Sequence, residues 1–207
     1  MRGGIAVAGG FALFGIIAVT TYPLWRAWCL TWGATGEEAV QPLVGDELLE
    51  EPTVVTTRAI SIDTSVGVVW PWLVQMGPGR GGAYTYDWIE NLAGLGMHSA
   101  DRILPEFQDL AVGDSLALGA RGPRLQVAVL EPQHSMVLSA DDGNWVWTFA
   151  LMSEVNGSRL ISRNRIRISG GSAFTRAMYK YLMEPGSLVM ERKMLLGIKH
   201  RAEELAA

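Results

Sequence analysis

Residues 145–168, WVWTFALMSEVNGSRLISRNRIRI, alternate in side-chain character twice, with one turn between the two runs. Successive side chains of a strand point to opposite sides, so Trp145, Trp147, Phe149 and Leu151 share one face of a strand over 145–152. By the same rule Arg163, Arg165 and Arg167 share one face of a strand over 159–168. Asn156-Gly157 supplies the left-handed backbone that a tight hairpin turn needs. The stretch therefore predicts an antiparallel hairpin with an aromatic face and a basic face. Guanidinium stacking on indole across such a pair stabilises by about 0.5–2 kcal/mol. The arginine row is expected to point outward and solvate a convex sheet face. The alternative is an inward arginine that binds a carboxylate or phosphate head. The aromatic face is either core or cavity wall.

Toward the N-terminus, Gly122-Pro123, Glu131-Pro132 and Asp142-Gly143 separate further strands at 113–118, 124–131 and 136–140. The segment 53–63 is rich in β-branched residues and puts Val54, Thr56, Arg58, Ile60 and Ile62 on one face. Residues 65–76 read as a helix capped by Asp63-Thr64 and kinked or split at Pro71, which lacks a backbone donor. A glycine-rich loop at 77–82 precedes a second helix, 85–95, with Trp88, Ile89 and Leu92 on one side. Toward the C-terminus, Ser172 caps a helix carrying Phe174, Ala177, Met178, Tyr181 and Leu182, and Glu184-Pro185-Gly186 is expected to break it. A final helix over 187–205 shows a seam of Leu188, Leu195, Ile198, Ala202 and Leu205, spaced 7, 3, 4, 3. Strand, two short helices, meander and long helix specify an α+β domain whose curved antiparallel sheet wraps the C-terminal helix. That arrangement leaves a cavity between sheet and helix.

The other extreme of the chain is of a different kind. Residues 3–24 contain no charged side chain, and about 20 apolar residues suffice to cross a bilayer core of about 30 Å. Trp25, Trp28 and Trp32 then read as an interfacial aromatic belt. A cleaved secretory signal is the rival reading, but no small-x-small site follows the apolar run. Arg2 and Arg26 flank the run about equally, so the side on which the remaining chain lies is open. The expected organisation is a transmembrane anchor over 1–28, a juxtamembrane linker or wrapping arm over 29–52, and a globular domain over 53–207. Net charge −4 with pI near 5.4 speaks against a nucleic-acid partner, which needs a basic stripe. The single cysteine, Cys29, excludes an intramolecular disulfide.

The order of elements, together with 30–38 (LTWGATGEE), 69–77 (VWPWLVQMG), 79–92 (GRGGAYTYDWIENL) and 184–186 (EPG), resembles the SRPBCC superfamily. That superfamily comprises START lipid-binding domains, polyketide cyclases and pollen-allergen-like proteins. The resemblance runs over about 32–204 and is similar to a bacterial, often membrane-anchored subgroup; Val44 departs from the expected proline before Gly45-Asp46. It implies a helix-grip fold and a hydrophobic ligand cavity, and it implies no reaction, because the fold hosts carriers, cyclases and regulators alike.

Several residues are candidates for chemistry. Gly77-Pro78-Gly79-Arg80-Gly81-Gly82 matches G-x-G-x-x-G, but no βαβ unit surrounds it, so nucleotide binding is not the reading. Arg80 offers a cation to an anionic ligand group or to Asp87. Tyr84, Tyr86, Asp87, Glu90 and Asn91 form the densest polar-aromatic cluster. Either carboxylate there can serve as a general base if burial raises its pKa; the plainer reading has Asp87 neutralise Arg80 and Glu90 face water. Met178, Met183, Met190 and Met194 fill core gaps or contact a ligand of adaptable shape. Lys193, Lys199, Arg192 and Arg201 give the last helix a basic side, solvated or facing anionic headgroups. The three histidines show no metal-ligand spacing and no nucleophile elbow is present, so neither metal nor cofactor is expected.

These observations converge on a single-pass protein of the cell membrane whose domain binds a hydrophobic small molecule, lipid or polyketide-like. The expected ligand contacts are Arg80, Tyr84, Tyr86, Asp87, Trp145, Trp147, Met190 and Met194. A cyclase/aromatase-type enzyme and a membrane-tethered interaction module are the alternatives.

Overall fold

The structure is a computed structural model and describes residues 22–92, 94–117, 124–168, 170 and 172–207. The expected anchor over 1–28 lies outside these except for 22–28, which belong to a helix α1 at 22–31. Among the described residues no helix is long and apolar enough to cross a membrane. Six strands form one antiparallel sheet: β1 (Val54–Ile62), β2 (Ser115–Ala117), β3 (Arg124–Glu131), β4 (Ser135–Ala140), β5 (Trp145–Glu154) and β6 (Gly157–Ile166), in spatial order β1-β6-β5-β4-β3-β2. Local hairpins link β2 through β6, and β1 closes on β6 by pairing Val54 with Ile166 and Ile62 with Ser158. Gly157 is the first residue of β6, with φ 155°; a side chain there would strike the carbonyl of Ile62, so this crossing needs glycine.

Helices cover the concave face. α3 (Val66–Val74) follows β1, with Ser65 as its N-cap, and runs unbroken through Pro71. Pro71 is the sixth residue of α3, so the bond that an N–H there would make to the Gly67 carbonyl is forgone, while packing of Val69, Trp72 and Leu73 in the core holds the helix together. After α4 (Asp87–Leu92) and the meander come α5 (Ala173–Met178), a π-helical turn Tyr179–Met183 and α6 (Glu184–Ala206). Glu184-Pro185-Gly186 therefore opens α6 and does not break the chain. Pro185 sits in the first turn, where its lack of a donor costs little, and the wide π turn carries the backbone through. The core packs Val69, Trp72 and Leu73 of α3 against Met194, Leu195, Ile198 and Ala202 of α6, over Phe149, Leu151 and Leu160 of the sheet. Leu205, expected in the seam, is exposed, as are Trp88 and Leu92 of α4.

The convex face is covered too, by residues 33–52. α2 (Gly36–Val40) begins with a capping box between Thr35 and Glu38, and a single turn at Asp46–Leu49 buries Leu49 against Val137 and Val146. A bulge in β3 between Val127 and Val129 makes this possible. Val127 faces the inner core, while Val129 joins the outer cluster with Leu49.

Candidate functional site

The register of β5 and β6 sets the inner wall. Trp145 pairs with Ile166, Trp147 with Asn164 and Phe149 with Ser162, whereas the arginines share their face with Val146 and Thr148. The expected guanidinium–indole stack is therefore absent from this pair: directly paired residues share a face, and the indoles meet the Ser162/Asn164 side of β6. Each indole N–H has a partner there, Trp145 donating to Asn164 Oδ1 at 2.8 Å and Trp147 to the Ser162 hydroxyl at 2.9 Å. With both N–H groups satisfied, the two rings stack on each other at 5.7 Å and 19° and present apolar surface inward.

Between this wall and α6 lies a cavity of about 520 Å³. Its lining is mostly apolar and includes Ala140, Trp145, Trp147, Ile166, Met183 and Met190. One edge is polar. Glu184, Ser187 and Glu191 lie one turn apart on α6 and reach the cavity beside Thr56 and Asn164. Glu191 accepts from the Ser162 hydroxyl at 2.6 Å and from Asn164, and it forms an ion pair with Arg58, which is fully buried. Burial pushes the Glu191 carboxyl upward, while the Arg58 guanidinium and the Ser162 hydroxyl pull it back toward the ionised form. Arg58 also donates to the carbonyl of Cys29, in the last turn of α1, and to the Ser187 hydroxyl at 3.0 Å. A cation there satisfies a helix-end carbonyl. Glu184 is held by Arg26 of α1 through two hydrogen bonds of 2.7 Å.

Glu90 reaches the cavity from α4, not the water expected of it. Its Oε2 is buried without a hydrogen-bond partner. Burial pushes its carboxyl upward, the Asp87 carboxylate adds to that, and the Thr85 hydroxyl works against it.

Of the eight residues expected to touch ligand, Trp145, Trp147 and Met190 line the cavity. The other five are occupied elsewhere. Arg80 donates to the carbonyls of Val74 and Phe107 and lies over the Phe107 ring at 4.7 Å, not beside Asp87. Asp87 instead accepts from the backbone N–H and hydroxyl of Ser99, at 2.8 and 2.6 Å. The Tyr84 hydroxyl donates to the Trp72 carbonyl at 2.9 Å; burial pushes that phenol up. Tyr86 is near the surface with Lys193 over its ring, and Met194 is core. Arg163, for which two placements were open, points away from the cavity but is not solvated: it is 3% exposed and bonds Thr57, Asp46 and the carbonyls of Glu38 and Gln41. The basic side of α6 is similarly engaged, with Arg201 over Tyr84, Arg192 over Trp32 and Lys199 bonded to Glu203 and Asp63. Trp32 is accordingly packed against the core under Arg192, apart from the exposed Trp25 and Trp28 of α1.

Sequence reading missed Arg58, Glu184, Ser187 and Glu191. The available signal was Arg58 itself, a charge in the middle of an inward-facing strand run. Position 191 also falls inside the 188-to-195 gap of the helical seam, one turn from each end.

No protein-family model and no curated protein matches the chain. Solved structures do. The Staphylococcus aureus protein SA2116, of unknown function, is similar over 74% of this chain and 95% of its own, at 11% identity and TM-score 0.50. The di-domain ARO/CYC StfQ from the steffimycin biosynthetic pathway is similar over 77% of this chain and 54% of its own, at 14% identity and TM-score 0.48. An AHSA1-like protein from Aeromonas hydrophila is similar over 74% of this chain and 94% of its own, at 16% identity and TM-score 0.40. At such identities the likeness concerns the fold alone: the chain is an α+β protein with a curved antiparallel sheet gripping a long C-terminal helix.

Proposed function

We propose that the domain binds a hydrophobic small molecule, lipid or polyketide-like, between the sheet and α6. The carrying observation is the cavity of about 520 Å³ walled by stacked Trp145 and Trp147, a size and lining typical of small-molecule sites. An interaction scaffold would need that space filled. The test is native mass spectrometry with organic extraction on full-length protein in mild detergent. A co-purifying mass that disappears in folded Met190→Trp or Trp147→Ala supports the reading; failure of every preparation to carry ligand or take up a lipophilic probe overturns it.

The anchor belongs to the same proposal. The uncharged run over 3–24 leads into α1, whose Leu24, Trp25 and Trp28 are exposed. α1 is clamped to the start of α6 through Arg26–Glu184, and Tyr22 packs on Tyr181 at 5.4 Å. Exposed Phe174, Met178, Leu182 and Met183 continue this apolar surface along α5 and the π turn. A bilayer meeting the anchor would thus lie beside the cavity's polar edge, where a lipophilic ligand arrives. Carbonate-resistant association of the full chain with liposomes supports this; complete release into the soluble fraction counts against it. One observation favours a cyclase-type reading as well, the Glu90 carboxyl at the cavity, whose pKa burial raises in the direction that suits proton transfer.

A further inference from the structure

One side of the molecule combines apolar surface with positive charge. Leu24, Trp25 and Trp28 are exposed on α1, and Phe174, Met178 and Leu182 follow one another at helical spacing along α5 and the π turn, with Phe174 76% and Leu182 63% exposed. The two rows are joined: Tyr22 packs on Tyr181 at 5.4 Å, Lys180 lies over both rings at 5.0 and 5.5 Å, and Arg26 holds Glu184. Apolar exposure gathered on one side in this way marks an interaction surface. The charge is segregated as well. Residues 22–36 and 155–183 contain no acidic side chain, and Arg176 and Lys180 stand among the exposed apolar residues of a chain whose net charge is −4. The same side adjoins the cavity, because Met183 is half exposed and also belongs to the cavity lining with Tyr179.

Resting on the anchor reading, we propose that α1, α5 and the π turn form a docking face for a bilayer of anionic lipid. Phe174, Met178 and Leu182 enter the acyl boundary, and Arg176 and Lys180 meet the headgroups, as on a basic amphipathic helix lying in the membrane plane. Charge complementarity selects this occupant. A second copy of the chain would set the same cations against one another across a two-fold interface. Residues 3–21 would match the apolar rows but bring no negative charge. An anionic bilayer answers both the apolar rows and the cations, and it places the cavity wall at Met183 beside the lipid.

The test puts a nitroxide at Leu182→Cys in the full chain, reconstituted into vesicles of phosphatidylcholine alone or of equal parts phosphatidylcholine and phosphatidylglycerol. Cys29→Ser keeps the label to one place, since Arg58 uses only the carbonyl of that residue. Val155→Cys is the control, fully exposed in the turn at the end of the β5–β6 hairpin far from α5. In the mixed vesicles the label at 182 should collide more with oxygen than with a water-soluble nickel chelate, and the label at 155 should not. Arg176→Gln and Lys180→Gln should each lower the ratio of docked to undocked chain about fivefold, the equivalent of one cation at an anionic surface. Added salt should weaken docking in the same direction. A label at 182 as open to nickel as that at 155, in a chain that floats with the vesicles, overturns the docking face and leaves the anchor intact. Equal oxygen preference in the two kinds of vesicle overturns the choice of anionic lipid. A label shielded from both reagents shows the face covered by protein, either residues 3–21 or a second copy, and overturns the proposal too. A chain that floats with neither kind of vesicle overturns the anchor reading and the docking with it.

Discussion

β6 uses its two faces oppositely. Outward, Arg159, Arg163 and Arg165 meet Glu38, Asp46 and a row of arm carbonyls, so cations and acceptors balance and the arm is sealed onto the sheet. Inward, Ser162 and Asn164 donate to Glu191 and accept from the Trp147 and Trp145 indoles, at a cavity whose lining is richer in carboxyls than in cations. The closed face holds structure; the inner face borders open space.

The largest expected effect lies on the inner face. Arg58→Met leaves the Glu191 carboxyl buried without its counter-ion and should destabilise by about 3–5 kcal/mol in denaturant titration. Adding Glu191→Leu should restore much of the loss, because removing both charges also removes both desolvation costs. If the double variant is as unstable as the single, the pair's hydrogen bonds to Cys29 and Ser187 matter more than its charges.

On the outer face Arg163→Ala strips partners from Asp46, Thr57 and two arm carbonyls and should cost about 2 kcal/mol. Unlike Arg58→Met, it should act locally. Limited proteolysis is expected to cut within 36–50 while the sheet stays folded; uniform resistance would show the arm held by Leu49 instead. A smaller effect separates the faces by pH. The Arg159 guanidinium holds the Glu38 carboxyl below its usual value. A depressed folded pKa contributes stability above the unfolded value, about 4.3, and loses it as pH falls through the folded value. The gap in melting temperature between wild type and Glu38→Gln, worth about 1 kcal/mol at neutral pH, should therefore close in acid.

The two faces were also unequally legible. Alternation in 145–168 and 53–63 predicts the paired strands, since period-two patterning depends only on which side is buried. Which face carries which partner was less legible. The arginine row resembles a solvated face unless one knows that 33–52 folds over it, and that covering depends on tertiary contacts of Leu49 and Asp46. The Gly-rich loop and Tyr84–Asp87 drew attention by local density, yet their polar atoms close loops on themselves through Ser99, Val74 and Trp72. Glu191 was hidden for the opposite reason: a charge on an amphipathic helix is assigned to water by pattern, and its burial follows from Arg58, over a hundred residues away in sequence.

The smallest stability effect bears on whether the inner face is open space. Met190 borders the cavity, so Met190→Trp adds volume where no atoms are displaced. Filling a void without strain should leave stability unchanged or raise it by about 0.5 kcal/mol, whereas the same enlargement in a packed core costs about 1–3 kcal/mol. A neutral or stabilised variant that no longer takes up phenylnaphthylamine would show room that the outer face, closed by its arm, does not have. A loss above about 1 kcal/mol would mean that the inner face is packed as tightly as the outer one, and the contrast between the two would then rest on charge alone.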